Sequence, residues 1–207
     1  MRMEPHSRRP GTGFRLLRVL ALVPLLTSCA GSASVSGLLV PRGPARLDQA
    51  VVYIEPEDPA SAPPLVGWDD RASMTFAHES VQPSISVATV GSWLEIWNAD
   101  SVYHQPFSRS PALPLEARTV KPGTGFAMRL KAAGTVEVFC QLHAGESAEL
   151  LVLENAAWTR PDSAGAFRLP PLPRGRYVLH AWHPRLGEQS TPLDIEKSGH
   201  MSVELRY

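Results

Sequence analysis

Two short segments of the sequence carry residue types that bind metal ions or act as nucleophiles. His104 lies in a polar segment after the apolar residues 93–97, and Cys140 ends a later apolar stretch with His143 three residues further on. Thiolate and imidazole are ligands for copper and zinc, and a thiol beside an imidazole can also be a nucleophile. The alternative is a buried, inert cysteine with two exposed loop histidines.

An enzymatic function finds little support in the sequence. It contains no Gly-x-Ser-x-Gly turn, no His-Glu-x-x-His motif and no phosphate-binding glycine loop. A nucleophile built from Cys140 and His143 lacks any accompanying apolar substrate-site signal. We therefore predict that the protein is not an enzyme.

The elements that must position these residues are predicted to be β-strands. Trp93, Glu95 and Trp97 alternate with Leu94 and Ile96, which is the period of a strand with one buried face. The 20 prolines and 15 glycines, spread among short apolar runs, favour an all-β protein with many turns. We interpret the tryptophans as core or interface residues. Further strands are predicted at residues 84–90, 126–130, 135–140, 148–154, 192–197 and 201–207.

The arrangement of His104, Cys140 and His143 resembles the plastocyanin-like cupredoxins over residues 70–154. It is also similar to exported cupredoxins associated with methylamine utilisation. The resemblance implies a Greek-key β-sandwich in which the upstream histidine and the Cys-x-x-His loop converge at one end. It further implies that these three residues ligate one copper ion, the donor set of a blue-copper electron-transfer site. Copper and an unidentified redox partner protein are therefore expected.

Glu146 marks a departure from the cupredoxin pattern. In that family a methionine follows the second histidine and serves as the axial ligand, whereas the nearest upstream methionine here, Met128, lies on another predicted strand. Either Glu146 is the axial ligand or the axial position is vacant. A carboxylate would favour Cu(II) and lower the reduction potential. A Cys-His₂-Glu set also suits tetrahedral zinc, which we expect less than copper.

The segments on either side of this unit resemble the two halves of a carboxypeptidase-regulatory-like (transthyretin-like) sandwich. An Asp-x-x-Gly-x-Phe turn at residues 162–167 precedes a Leu-Pro-x-Gly-x-Tyr turn at residues 172–177. The resemblance implies a second, small Ig/transthyretin-like β-sandwich, split over residues 35–69 and 155–207, with residues 70–154 inserted. A single extended sandwich is the alternative.

Other candidate segments are interpreted as structural. Residues 55–64 are rich in proline and acidic residues and are predicted to form a loop or linker. His180 and His183 lie on one predicted strand and point to opposite faces, so they cannot jointly bind a metal within that strand. His78 and His200 are predicted to be surface residues.

The N-terminal residues 1–28 are interpreted as a lipoprotein signal peptide. A basic region precedes the apolar residues 19–26, which are too few to span a membrane. The sequence LTSC at residues 26–29 resembles the lipobox of bacterial lipoproteins, which implies that Cys29 is lipidated and that residues 29–34 form a tether. We therefore predict an exported protein, lipid-anchored at the periplasmic face of a bacterial membrane. Ordinary secretory cleavage is the alternative.

The charge of the sequence and its cysteine content limit the partners that the protein and Cys140 are expected to have. The 20 basic and 20 acidic residues balance, and without residues 1–28 the remaining 15 basic and 19 acidic residues leave a net charge of −4. No nucleic-acid partner is expected. If Cys29 is lipidated, Cys140 has no partner for an intramolecular disulfide in an oxidising compartment. Such a thiol is inert and buried, paired with another chain, or bound to metal.

Two hypotheses from different classes follow. The leading one is a periplasmic, lipid-anchored copper-binding protein that acts in electron transfer or copper handling. Its rival is a metal-free envelope lipoprotein whose two β-sandwiches serve adhesion or assembly. Metal binding separates the two.

Overall fold

The computed structural model describes residues 32–58, 71–154 and 157–207, and their regular structure is all-β apart from one 3-10 turn, Leu47–Gln49. The predicted all-β class is confirmed. The strands of the first half are β1 (Ala33–Val40), β2 (Val51–Pro56), β3 (Arg71–Ala77), β4 (Ser80–Gln82), β5 (Ile85–Thr89), β6 (Trp93–Asn98) and β7 (Pro106–Phe107). Those of the second half are β8 (Gly125–Arg129), β9 (Gly134–Cys140), β10 (Ser147–Leu153), β11 (Trp158–Thr159), β12 (Ala166–Arg168), β13 (Gly175–His183), β14 (Gly187–Ile195) and β15 (Gly199–Arg206). Within these residues no helix has the length and apolar character needed to cross a membrane. The predicted signal peptide and Cys29 lie outside the described residues.

Residues 71–154 form a two-sheet sandwich, here called the central sandwich. One sheet has the strand order β4-β3-β6-β8 and the other β5-β10-β9-β7, with β3–β6 and β5–β10 paired in parallel. Alternate residues of the strands point into the space between the sheets, where they are buried. On β9 the inward residues are Val136, Val138 and Cys140. Strand alternation therefore places Cys140 at the end of the core.

The remaining described residues form a second pair of sheets, here called the flanking sandwich. Its sheets have the orders β12-β1-β15 and β11-β2-β13-β14, so each combines strands from before and after the central sandwich. β1 pairs with β15 in parallel over its full length. Its own apolar core includes Leu39, Ile54, Leu172, Leu179 and Ile195, all essentially inaccessible to solvent.

A third apolar cluster joins the two sandwiches. It contains Val51, Tyr53 and Trp182 from the flanking sandwich and Ile85, Val87, Leu151 and Leu153 from β5 and β10 of the central sandwich. Arg160 crosses this contact, because its Nη2 donates a hydrogen bond to the Ile85 carbonyl at 2.8 Å. Burial lowers the pKa of the Arg160 guanidinium. The flanking sandwich thus covers the outer faces of β5 and β10 in the sheet that contains Cys140.

Two predicted boundaries are wrong by a few residues. Strand β2 continues through Pro56, although residues 55–64 were expected to form a loop. Pro56 is tolerated because the adjacent Glu57 amide bonds the Arg176 carbonyl of β13, so the Pro56 nitrogen points away from β13. Strand β1 begins at Ala33, inside the expected tether, because Ala33 is buried and its amide bonds the Leu172 carbonyl.

The tryptophans of strand β6 do not lie in the core, and an interface role for them stays a prediction. Trp93 and Trp97 share one strand face as predicted, but they are 40% and 49% exposed, respectively. Leu94 and Ile96 fill the core instead. The alternation was read correctly, and the larger apolar side chains lie on the outer face.

Candidate metal centre

The loop between β9 and β10 brings three predicted site residues together. Cys140 ends β9, and its amide donates to the Glu146 carbonyl at 3.0 Å, which closes residues 141–146 into a tight loop. Gly145 has φ +93°, a left-handed conformation that favours glycine. The loop therefore turns sharply just before Glu146 and returns both His143 and Glu146 to the end of the sandwich.

His104 reaches the same place from a different part of the chain. Its amide donates to the Val120 carbonyl at 3.1 Å, and the Val120 amide donates back to the His104 carbonyl at 2.8 Å. The buried Asn98 amide side chain donates to the carbonyls of Val102 and Val120. The His104 ring is fully buried and stacks on Phe76 with a centroid distance of 4.7 Å. A long irregular segment is thus held at a fixed position.

Four side chains converge with their donor atoms facing one another. The Cys140 Sγ lies 3.7 Å from the His104 Nδ1 and 3.5 Å from the His143 Nδ1, and the two Nδ1 atoms are 3.2 Å apart. The Glu146 Oε2 lies 2.8 Å and 3.3 Å from the same two nitrogens. All four donor atoms lie within 4.8 Å of one another.

These spacings suit a small transition-metal ion. Ligand bonds of ~2.0–2.1 Å to nitrogen and ~2.3 Å to sulfur place tetrahedral donors roughly 3.3–3.4 Å (N···N) and 3.5–3.6 Å (N···S) apart. The observed nitrogen–nitrogen separation of 3.2 Å and nitrogen–sulfur separations of 3.5 and 3.7 Å lie close to those values. One thiolate, two imidazoles and one carboxylate are a donor set for copper or zinc.

Glu146 is an inward-facing residue of this cluster. Its side chain is only 4% exposed, and its carboxylate contacts both imidazoles. A buried carboxylate without a partner is costly, so its position beside these two rings is well determined. Of the two alternatives drawn from the sequence, this geometry favours Glu146 as the fourth donor over a solvated loop acid.

The sulfur also receives a backbone hydrogen bond. The Gln105 amide donates to the Cys140 Sγ at 3.5 Å, and the Gln105 carbonyl accepts from the Gln141 amide at 2.9 Å. These bonds link the His104 segment to the Cys140 loop on both sides of the donor cluster.

Asp100 is a site residue that the sequence reasoning did not single out. Its Oδ2 lies 3.2 Å from the His104 Nε2, and its Oδ1 accepts a hydrogen bond from the His78 amide at 2.9 Å. The His78 bond is the largest cause of a lowered pKa of the Asp100 carboxyl, which burial opposes and His104 assists. The available signal was its place four residues before His104, which lets it turn back on the ring.

His143 is the ligand candidate nearest to solvent. Its side chain is 36% exposed, whereas that of His104 is buried. Val102, Tyr103 and Leu142, all exposed apolar residues, lie in the two loops that carry the histidines. An open cavity of about 780 Å³ borders His143, Glu146 and Asp100. The cluster therefore has one accessible edge with apolar residues around it.

The other candidate residues lie outside this cluster. His183 is buried against the flanking core, whereas His180 stacks on Tyr53 on the opposite face of β13, as predicted. Met128 is partly buried on β8 against the core of the central sandwich. His200 is exposed, as expected for a surface residue.

Comparison with known proteins adds structural similarity only. No family model matches the chain, and no curated protein matches it. Among solved structures, a Cu(I) form of an amicyanin mutant is 17% identical, covers 41% of this chain and 84% of that chain, and gives a TM-score of 0.37. A reduced form of another amicyanin mutant is 17% identical, with coverages of 49% and 97% and a TM-score of 0.37. A purple cupredoxin from Nitrosopumilus maritimus is 18% identical, with coverages of 39% and 98% and a TM-score of 0.35.

Proposed function

We propose that this protein binds one copper ion through His104, Cys140, His143 and Glu146 and serves electron transfer or copper handling. The observation that supports the proposal is the convergence of four donor atoms within 4.8 Å, with sulfur–nitrogen and nitrogen–nitrogen spacings close to those around a small transition-metal ion. Because the donors already converge, binding needs little rearrangement of the chain.

Each residue has a distinct part in this proposal. Copper held by one thiolate and two imidazoles can exchange a single electron between Cu(I) and Cu(II). The Cys140 thiolate favours Cu(I), the imidazoles accept both states, and the Glu146 carboxylate favours Cu(II). The backbone pairs around His104 and between Cys140 and Glu146 keep the donors in place.

The exposed edge of His143 is the proposed route for electrons. Val102, Tyr103 and Leu142 provide an apolar surface beside this ring, and exposed apolar patches with polar surroundings commonly mark protein contacts. A redox partner protein would dock here, with its own centre close to His143. The buried His104 would stay shielded from solvent.

The proposed location is the periplasmic face of a bacterial membrane. The lipobox-like sequence at residues 26–29 supports attachment through lipidated Cys29. Since β1 begins at Ala33, only a few residues would separate the lipid from the folded protein. The copper centre would then operate close to the membrane surface.

Metal loading tests the proposal directly. The chain from residue 30 onward, produced without lipid, is loaded with copper, dialysed against a weak chelator and analysed for copper and zinc per protein. We expect about one copper in the parent protein and in the surface control His200→Gln, and a large loss in Cys140→Ser. A parent protein without bound metal would favour the metal-free adhesion or assembly hypothesis, and zinc retained in preference to copper would exclude electron transfer.

A further inference from the structure

We propose that Asp100 is a positioning residue that holds His104 with its Nδ1 lone pair directed at the metal. The inference builds on the proposed metal site and adds a residue outside the donor cluster. It follows from the hydrogen bonds of a fully buried imidazole whose two ring nitrogens face different carboxylates.

The His104 ring lies between two carboxylates, with Asp100 at Nε2 and Glu146 at Nδ1. An ionised carboxylate accepts hydrogen bonds and cannot donate them, so the His104 Nε2 carries the proton and donates to Asp100 Oδ2 at 3.2 Å. Without metal, Nδ1 faces the Glu146 Oε2 at 2.8 Å; with metal bound, a proton kept on Nε2 would leave the Nδ1 lone pair to the ion. Nδ1 is the nitrogen that faces Cys140 and His143. Asp100 therefore holds the ring with Nδ1 toward the donor cluster and offers an acceptor for the Nε2 proton of a metal-bound ring.

Asp100 is itself held in place from two directions. Its Oδ1 accepts from the His78 amide at 2.9 Å, and its own amide donates to the Asn98 Oδ1 at 2.9 Å. His78 and Glu79 form the turn between β3 and β4 with φ values of +53° and +57°, a left-handed conformation that is unusual for these residues. Through these hydrogen bonds, Asp100 links the β3–β4 turn and the end of β6 to the His104 ring.

A carboxylate behind a metal-bound imidazole has a known chemical effect. It fixes the ring orientation and raises the basicity of the ligating nitrogen, and its removal commonly weakens metal binding by roughly 10- to 100-fold. The more basic ligand stabilises Cu(II) more than Cu(I). Asp100 contacts the ring of the buried His104, so this effect acts on the buried ligand.

The first test compares metal affinity and reduction potential in Asp100→Ala, Asp100→Asn and a control, Glu79→Gln. The control removes a neighbouring negative charge without removing the acceptor of His104. We expect Asp100→Ala to bind Cu(II) about 10- to 100-fold more weakly and Asp100→Asn to retain part of the affinity. If the Cu(I) affinity falls less than the Cu(II) affinity, the reduction potential rises by about 59 mV for each tenfold difference between the two losses. Parent-like Cu(II) affinity and potential in Asp100→Ala would overturn the inference.

The second test does not depend on copper. Nitrogen-15 NMR of the metal-free protein reports which ring nitrogens carry protons and whether the Nε2 proton is hydrogen-bonded. We expect a hydrogen-bonded His104 Nε2 proton in the parent and its loss in Asp100→Ala, with the fold checked by circular dichroism. A parent that binds no metal but shows this proton would refute the proposed function and leave the Asp100 contact standing. An unchanged Nε2 signal in Asp100→Ala would refute the positioning role whether or not metal binds.

Discussion

Replacing Glu146 by glutamine should raise the reduction potential of the copper-loaded protein. The change keeps the shape of the side chain and removes one negative charge from a position that is 4% exposed. That charge lies 2.8 and 3.3 Å from the imidazole nitrogens that would hold the ion, so it favours Cu(II) over Cu(I). Removing it withdraws that preference.

The size of the effect follows from Coulomb's law. Two unit charges at ~4 Å interact by about 4 kcal/mol at an effective dielectric constant near 20. This energy corresponds to roughly three powers of ten in relative affinity, or about 170 mV for one electron. We therefore expect an increase on the order of 100–200 mV.

Protein-film voltammetry on the copper-loaded, lipid-free chain measures this shift. Glu149→Gln is a matched control, because Glu149 lies on β10 three residues further along and faces Glu137 outside the core. The control should change the potential little. A Glu146→Gln shift below about 30 mV, or one equal to that of the control, would show that the carboxylate does not act on the metal. In Glu146→Met we also expect a stronger blue charge-transfer band, because the softer sulfur leaves the copper–thiolate bond more covalent.

Three further predictions concern stability and location. Burial is the main cause of a lowered His183 pKa, so the free energy of unfolding should fall as the pH drops below about 6.5, where the unfolded chain gains a proton that the folded ring resists. In urea unfolding, the free energy lost between pH 7.5 and pH 5.0 should be smaller in His183→Gln than in the parent protein. Equal losses in the two proteins would contradict this. Trp182→Ala should lower the free energy of unfolding by about 3–5 kcal/mol, because Trp182 lies in the contact between the sandwiches. Trp97→Ala, at an exposed position, should lower it by less than about 1 kcal/mol. Similar losses in both variants would refute the role of the contact. Cys29→Ser should move the full-length protein from the membrane to the soluble fraction, and a mutant still in the membrane fraction would exclude the lipobox interpretation.

The strands around the site could be predicted because one buried face imposes strict alternation. Leu94 and Ile96 on β6, and Val136 and Val138 on β9, each lie between more exposed residues, and this pattern is visible in the sequence. In the structure the same alternation continues to Cys140, which faces inward at the end of its strand. Local periodicity is therefore enough to locate the core around the site.

Features that depend on neighbouring strands could not be predicted in this way. The extension of β2 through Pro56 depends on pairing with the distant strand β13, and the exposure of Trp97 depends on what covers the outer face of its sheet. The contact of Asp100 with the ring of His104 depends on the path of a loop stabilised by Asn98. These features arise from packing between distant segments, which no short sequence window contains.

X-ray absorption spectroscopy of the copper-loaded, lipid-free chain tests the central proposal most directly, because it identifies the atoms bound to the metal. We expect one sulfur at about 2.3 Å from the copper and two or three nitrogen or oxygen donors at ~2.0–2.2 Å, supplied by His104, Cys140, His143 and Glu146. Cys140→Ser should lose the sulfur signal, while the surface control His200→Gln should keep it. Copper bound only by nitrogen and oxygen in the parent protein, or no copper retained after dialysis, would contradict the proposed centre.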